Sequence, residues 1–228
     1  PAADVRSVAF SRAGETIYRI ERPEKGKDPE FTRRPDGYAD RTVKTSKLNS
    51  LVGVLANFQI TDVADPEIPE DEALGDDAVL EYRLFDGTIY RIRPGAAVTG
   101  DAETEDADPS YYVTVSADYE APPEPPAPEP DESAEAPADD SADSGENEAE
   151  TADPADDPAV EAEKRKQEQA CLKQAAADLD AKIGKWTYII PEWRYTNLIT
   201  DPEDLFEDPA DTAADAPQLP EASDLSIE

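Results

Sequence analysis

The chain has 228 residues, and its 21 Lys and Arg against 55 Asp and Glu give a formal net charge of −34. Nucleic-acid phosphates and anionic lipid headgroups repel a chain this anionic, which excludes nucleic acid as a partner. The sequence has no His, so His-dependent triads, His-bearing zinc sites and His-ligated haem are excluded. Its single cysteine, Cys171, cannot form an intrachain disulfide or a thiolate metal cluster. We therefore expect no cofactor, no metal site and no enzymatic activity.

Residues 1–64 are predicted to form a first α+β module that begins with a β-hairpin. Apolar and polar residues alternate over Val5–Arg12 and Thr16–Arg22, which are separated by the predicted turn Ala13-Gly14-Glu15. Glu30–Arg33 is predicted to add a third short strand, which ends before the turn sequence Pro35-Asp36-Gly37.

The apolar residues then change to a helical spacing. They are Leu48, Leu51, Val52, Leu55 and Phe58. This period predicts an amphipathic helix that Thr45 or Ser46 caps, followed by an extended segment over Phe58–Val63.

Residues 65–77 are predicted to be an acidic connector, and residues 78–206 a second module. Its first feature is a hairpin in which strands over Ala78–Phe85 and Thr88–Arg93 flank Asp86-Gly87, a dipeptide that suits the positive φ angles of a type I′ turn. The other predicted elements are a strand over Tyr111–Ala117, a helix over Ala159–Ile183, a strand over Trp186–Ile190 and a last helix with Pro191 in its first turn.

One pentapeptide occurs twice. Thr16–Ile20 and Thr88–Ile92 both read TIYRI, each as the second arm of a predicted hairpin after a turn that contains Gly. The order of elements is also the same in the two halves, which predicts two copies of one module, each with antiparallel strands covered by a helix. The alternative is that TIYRI is simply a sequence with high strand propensity.

Most of the negative charge lies in two segments. Glu120–Pro158 contains 15 acidic residues and Asp201–Glu228 contains 10, with no Lys or Arg in either. The first segment has no aromatic or large aliphatic side chain, so it cannot offset the entropy cost of folding. We predict a disordered insert over residues 120–158 and a disordered acidic tail over residues 207–228. A halophile's acidic surface is the alternative explanation of the charge.

Two further sequence features are candidates for a calcium site and a reactive thiol: the segment Asp139–Gly145 and Cys171. Asp139–Gly145 is rich in Asp, but aligning Gly145 with the sixth position of a calcium loop puts Ala142, which has no side-chain oxygen, at a ligand position. Cys171 lies near Lys173 on a predicted helix, yet the sequence offers no His base to complete a nucleophilic pair. We predict neither a formed calcium site nor a reactive thiol.

The candidate contacts with a partner or ligand are Trp193, Tyr195, Arg33 and Arg34. Trp186 and Tyr188 are predicted to face the core, whereas Trp193 and Tyr195 lie beyond Pro191 and are as well placed for stacking on a ligand as for packing. Arg33 and Arg34 form the densest basic patch of the first module, as either a solvated strand end or an anion contact.

The chain resembles the bacterial "domain of unknown function 4340" family. The resemblance lies in the hairpin before Pro35–Asp40, the helix Lys47–Leu55, the Asp86-Gly87 hairpin and the closing segment Gly184–Pro191, and it extends from about Val5 to Phe206 without the acidic insert. It implies a periplasmic domain tethered to the inner membrane by one N-terminal helix and, in some members, association with ABC-type transport or gliding components. It supplies no catalytic residues.

The resemblance leads to a functional expectation. We expect a non-catalytic periplasmic ectodomain that acts as an interaction or accessory subunit of an envelope or ABC-transport-associated complex, with a membrane protein as its partner. The start at Pro1 and the lack of Met predict that an N-terminal piece is missing from the sequence, and the resemblance implies that this piece is the membrane anchor. The first alternative is a periplasmic glycan- or peptide-binding protein that uses its exposed aromatic residues, and the second is a hydrolase that uses only carboxylates.

Overall fold

The structure, a computed structural model, describes residues 2–65, 73, 75, 77–98, 109–122 and 158–207. It confirms an α+β fold built on one large antiparallel sheet. The strands are β1 Val5–Arg12, β2 Glu15–Glu21, β3 Glu30–Arg33, β4 Asp62–Val63, β5 Ala78–Leu84, β6 Thr88–Ala97, β7 Ser110–Tyr119 and β8 Thr187–Pro191. The α-helices are α1 Thr45–Gly53, α2 Pro158–Ile183 and α3 Glu192–Leu198, and short 3-10 helices span Ala2–Asp4, Leu55–Asn57 and Pro202–Leu205.

All eight strands belong to a single sheet in the order β3-β2-β1-β5-β6-β7-β8-β4. The predicted modules therefore do not form separate sheets, because β1 pairs with β5 and β4 pairs with β8. Each of these pairings satisfies backbone donors and acceptors that an isolated module would leave at an open edge.

The β1–β5 pairing has a symmetric register. Val8 lies opposite Tyr82 and Phe10 lies opposite Leu80. Adding 72 to a residue number maps Val8 to Leu80 and Phe10 to Tyr82, so the two cross-strand pairs map onto each other. The same shift maps the β1–β2 pair Phe10–Tyr18 onto the β5–β6 pair Tyr82–Tyr90.

One face of the sheet carries the hydrophobic core. Alternate residues of neighbouring strands point to this face, and they pack in one cluster with Leu48, Leu51 and Val52 of α1 and Leu198 of α3. The largest fully buried side chains are Tyr18, Tyr82, Phe206, Ile20, Leu48, Leu51, Leu80, Ile89, Ile92, Ile190, Leu198 and Leu205. Phe206 stacks on Phe31 and Tyr38, so the segment after α3 returns across the core towards β3.

Helix α2 packs along β7 where β8 no longer pairs with it. The β7–β8 register ends at Thr114, and the side chain of Asp180 accepts a hydrogen bond from the free N–H of Ala117 at 2.9 Å. Ile183, at the end of the helix, packs against the core cluster. Residues 161–168 are all exposed, so the first part of this 26-residue helix extends away from the sheet.

The turn between β5 and β6 differs from the prediction. Asp86 does not have a positive φ, and only Gly87 does, so this turn is not type I′. The turn closes with a hydrogen bond from the N–H of Gly87 to the carbonyl of Leu84, which fits a longer loop with one left-handed residue. The two positive φ angles of a type I′ turn occur instead at Ala13 and Gly14.

The predicted helix starts also require correction. Thr45 is already the first residue of α1, and Lys44, which precedes it, makes no side-chain capping bond. Neither Thr45 nor Ser46 therefore caps the helix. Pro191 is the last residue of β8 and precedes α3, so it is not in the first turn.

Several predictions lie outside the described residues. They are most of the connector 65–77, the insert 120–158 apart from residues 120–122 and 158, the tail 207–228 apart from Glu207, and the Asp139–Gly145 segment. None of the helices in the described parts of the chain combines the length and apolar character required to cross a membrane.

Candidate functional site

A polar groove lies between α1 and α3, on the core side of the sheet. Its volume is about 550 Å³, which is within the range of small-molecule sites. Most of its lining side chains can form hydrogen bonds. They are Ser46, Lys47, Ser50 and Asn57 from α1 and the turn after it, and Arg194, Thr196, Asn197, Thr200 and Asp204 from α3 and the segment that follows. We call this the α1–α3 groove.

Arg194 is the least exposed charged residue of this groove. It is 8 % exposed, and its Nε is buried with no hydrogen-bond partner. Burial lowers the pKa of its guanidinium. The guanidinium carbon lies 3.9 Å from the ring centroid of Trp193, so a cation–π contact offsets part of the desolvation cost.

The opposite side of the sheet, which we call the outer face, carries a network of ion pairs. Glu81 on β5 accepts hydrogen bonds from Arg83 at 2.8 Å and from Arg91 at 3.0 Å. Arg83 also pairs with Glu120, and Arg91 with Asp118 at 3.2 Å. Burial alone would raise the pKa of Glu81, but the two arginine hydrogen bonds outweigh it and leave the pKa lowered. Glu81 therefore stays ionised and holds both arginines in place.

A shallow depression of about 190 Å³ lies beside this network. It is lined by Arg6, Ser7, Arg19, Glu21, Arg83, Leu84, Gly87, Ile89, Glu120, Ala121 and Pro122. Arg6 donates to Glu21 at 3.1 Å, whereas the Arg19 side chain has no ion pair or hydrogen bond with any described residue. The depression is smaller than the usual small-molecule site, so its size suits a single side chain of a partner.

The two aromatic candidates beyond β8 have different environments. Trp193 is 52 % exposed, whereas Tyr195 is half-buried and stacks on Tyr111 with 3.8 Å between ring centroids. Tyr188 faces the core as predicted, but Trp186 is 39 % exposed because it precedes the first paired residue of β8. Trp193 is therefore the aromatic residue best placed for contact with a ligand.

The two basic candidates, Arg33 and Arg34, lie at the opposite edge of the sheet from β8, on and just after the edge strand β3. Arg33 is exposed and approaches Glu15 at 3.6 Å. Arg34 donates to the backbone carbonyls of Tyr38, Ala39 and Arg41 and lies over the rings of Phe31 and Phe206. Its contacts fix the loop after β3, so it does not share a site with Trp193.

Cys171 is exposed on α2, and no group of three or more His, Cys, Asp or Glu in the described parts of the chain could hold a metal ion. Sequence reasoning missed Arg194. A signal was present, because this arginine separates Trp193 from Tyr195 on a short helix, where one side chain must face inwards.

No protein-family model, curated protein or solved structure matches the chain.

Proposed function

We propose that the protein is a non-catalytic interaction or accessory subunit of a bacterial envelope complex. It lies in the periplasm, tethered to the inner membrane in its full-length form, and binds a membrane-protein partner of transport or gliding type. The location and the kind of partner follow from the sequence resemblance to the "domain of unknown function 4340" family.

The observation that carries the binding role is the charged outer face. Its arginines come from neighbouring central strands, and the shared carboxylate of Glu81 holds Arg83 and Arg91 in place while about a third of each arginine side chain stays exposed. Arginine is enriched in protein interfaces, and fixed charges give orientation and specificity to a docking surface. The unpaired Arg19 beside the depression would receive an acidic side chain of the partner.

The carboxyl groups with shifted pKa values do not favour a general-acid role for these groups. The pKa values of Asp4, Glu81 and Asp118 are all lowered. Lys25 holds Asp4, the two arginines hold Glu81, and the N–H of Tyr119 together with Arg91 holds Asp118. A general acid needs the opposite shift, towards a raised pKa.

The proposal is tested by photo-crosslinking in intact cells. A photoreactive amino acid at Ser116, which lies opposite Arg91 on the outer face, is expected to capture a membrane protein, and the same residue at the exposed Glu163 of α2 is the control. Arg19→Glu should abolish the Ser116 crosslink, whereas Lys173→Glu on α2 should not. The proposal is wrong if Ser116 gives no crosslink, or if both charge reversals act alike.

A second candidate function is the binding of a glycan or peptide. It is favoured by Trp193, whose ring is exposed at 52 % beside the α1–α3 groove residue Arg194. Saturable binding of a soluble ligand that changes Trp193 fluorescence, together with no crosslink at Ser116, would favour this function over partner docking.

We also propose that the chain contains two copies of one module. The shift of 72 residues relates TIYRI in β2 to TIYRI in β6 and maps the β1–β5 register onto itself. Between Phe10 and Tyr18 the first hairpin has as many residues as the second has between Tyr82 and Tyr90. Replacing residues 11–17 by the sequence of 83–89 should therefore preserve the fold, and loss of the sheet in far-UV circular dichroism would contradict the duplication.

A further inference from the structure

The unpaired Arg194 indicates an unfilled binding position. Burying a guanidinium without a counter-charge or hydrogen-bond acceptor is costly, and such a group is normally paired with an anion. No residue in the described parts of the chain forms a hydrogen bond or ion pair with this side chain. Because Arg194 lines the α1–α3 groove, an anion bound in the groove can supply the missing partner.

The rest of the groove determines what kind of anion fits. Lys47, in the first turn of α1, adds a second positive charge, and Asp204 adds one negative charge. The net charge of the lining is thus one positive, which matches a monoanion better than a dianion. Ser46 and Lys47 place the first turn of α1 along the groove, and this helix end, which has no side-chain cap, also favours negative charge.

The neutral side chains of the groove suit a ligand with several hydroxyl groups. Four hydroxyl-bearing residues, Ser46, Ser50, Thr196 and Thr200, and two amides, Asn57 and Asn197, line it. The hydroxyls of Ser50, Thr196 and Thr200 already donate to backbone carbonyls, so they can accept from a sugar hydroxyl, whereas the two amides can both donate and accept. The exposed ring of Trp193 lies directly beside Arg194 and offers an apolar surface to one face of a sugar ring.

We propose that the α1–α3 groove binds a small acidic sugar, with Arg194 holding its carboxylate and Trp193 contacting its ring. The planar guanidinium binds a carboxylate through two parallel hydrogen bonds, which gives geometric selectivity as well as charge. This site lies on the core side of the sheet, so it is separate from the outer face proposed for partner docking.

The test uses the full chain and three probes: D-glucuronate, neutral D-glucose and inorganic phosphate. A Trp186→Phe variant leaves Trp193 as the sole tryptophan, so its fluorescence reports on the groove. Glucuronate should bind saturably with a dissociation constant of about 1 mM or tighter, and glucose at least about tenfold more weakly. Calorimetry checks the same affinities independently.

Arg194→Gln should weaken glucuronate binding by at least about tenfold, whereas the matched variant Arg165→Gln, on the exposed first part of α2, should leave it unchanged. Lys47→Gln changes an exposed side chain that does not contribute to the core, and it should weaken binding severalfold even where Arg194→Gln fails to fold. Three results would overturn the proposal: no glucuronate binding up to about 10 mM, phosphate binding more tightly than glucuronate, or equal affinities in wild type, Lys47→Gln and Arg194→Gln.

Discussion

The buried side chains of Tyr18 and Tyr82 differ in whether the hydroxyl group forms a hydrogen bond. The hydroxyl of Tyr82 donates to the carbonyl of Leu51 at 3.3 Å and so joins the sheet to α1. The hydroxyl of Tyr18 is equally buried but has no partner among the described residues. Burial raises the pKa of both phenols, so both stay neutral.

The same substitution should therefore have opposite effects at the two positions. Tyr82→Phe is expected to lower the free energy of unfolding by about 1 kcal/mol, because the Leu51 carbonyl loses its partner. Tyr18→Phe removes an unsatisfied polar atom and should leave stability unchanged or raise it by up to about 1 kcal/mol. Urea unfolding measures both, and an equal loss in the two variants would contradict this account.

Glu81 should make stability depend on pH. Its lowered pKa in the folded protein means that its contribution is present above the unfolded pKa of about 4.3 and is lost as pH falls through the folded value. Because the network is partly exposed, we expect Glu81→Gln to cost only about 1 kcal/mol at pH 7. The difference from wild type should disappear at low pH in urea titrations, and Glu30→Gln, at an exposed site in β3, should show no such difference at either pH.

At the scale of elements, the two turn glycines differ in what surrounds them. A Cβ at Gly14 would meet no atom within 4 Å, whereas a Cβ at Gly87 would collide with the carbonyl oxygen of Glu120. Both have positive φ. Gly14→Ala should thus cost only the conformational penalty of about 1 kcal/mol, and Gly87→Ala clearly more. Thermal unfolding of the two variants measures this order, which the reverse result would refute.

One carboxylate of α2 is hydrogen-bonded to the backbone of β7. Asp180→Ala removes the acceptor of the Ala117 N–H, and this amide of β7 is expected to exchange with solvent about tenfold faster. Asp178 on the same helix accepts only from Gln174, so Asp178→Ala is the matched control. Hydrogen exchange followed by NMR distinguishes the two. Similar exchange of Ala117 in both variants would mean that Asp180 does not hold α2 against the strand.

Local patterns explain why many elements were predictable and the site was not. Alternation fixed β1 and β3 at their observed bounds, and helical spacing located α1, since both signals lie within a few neighbouring residues. The pairing of β1 with β5 joins segments about 70 residues apart, which no local period can report. The burial of Arg194 likewise depends on α3 packing near α1, so its missing partner becomes visible only in three dimensions.

At the scale of the molecule, one core makes the two halves a single folding unit. The main hydrophobic cluster contains Val8 and Ile20 from the first half together with Ile92 and Ile190 from the second. Strand pairing crosses between the halves at both β1–β5 and β4–β8. Neither half can therefore unfold without exposing the other.

We expect one cooperative unfolding transition in urea. Both tryptophans lie in the second half, so their fluorescence should change at the same urea concentration at which the NMR signals of Val8 and Ile20 disappear. Leu80→Ala, at a fully buried site, should lower the free energy of unfolding by about 3 kcal/mol. Both midpoints should therefore move together to a lower urea concentration. Two separate midpoints would show that the halves are independent domains.

The symmetric register of β1 and β5 bears on the origin of the chain. A protein with one module would expose the edge of β1, and two such molecules would pair through that edge about a two-fold axis. When residues of the second half are numbered by subtracting 72, residue 8 of one copy lies opposite residue 10 of the other. In the proposed duplication, the central strand pair of this sheet would correspond to the interface of a homodimer whose subunits became covalently joined. Each copy would then be free to diverge, which would account for the pairing of β4 with β8 and for the long helix α2 in the second half.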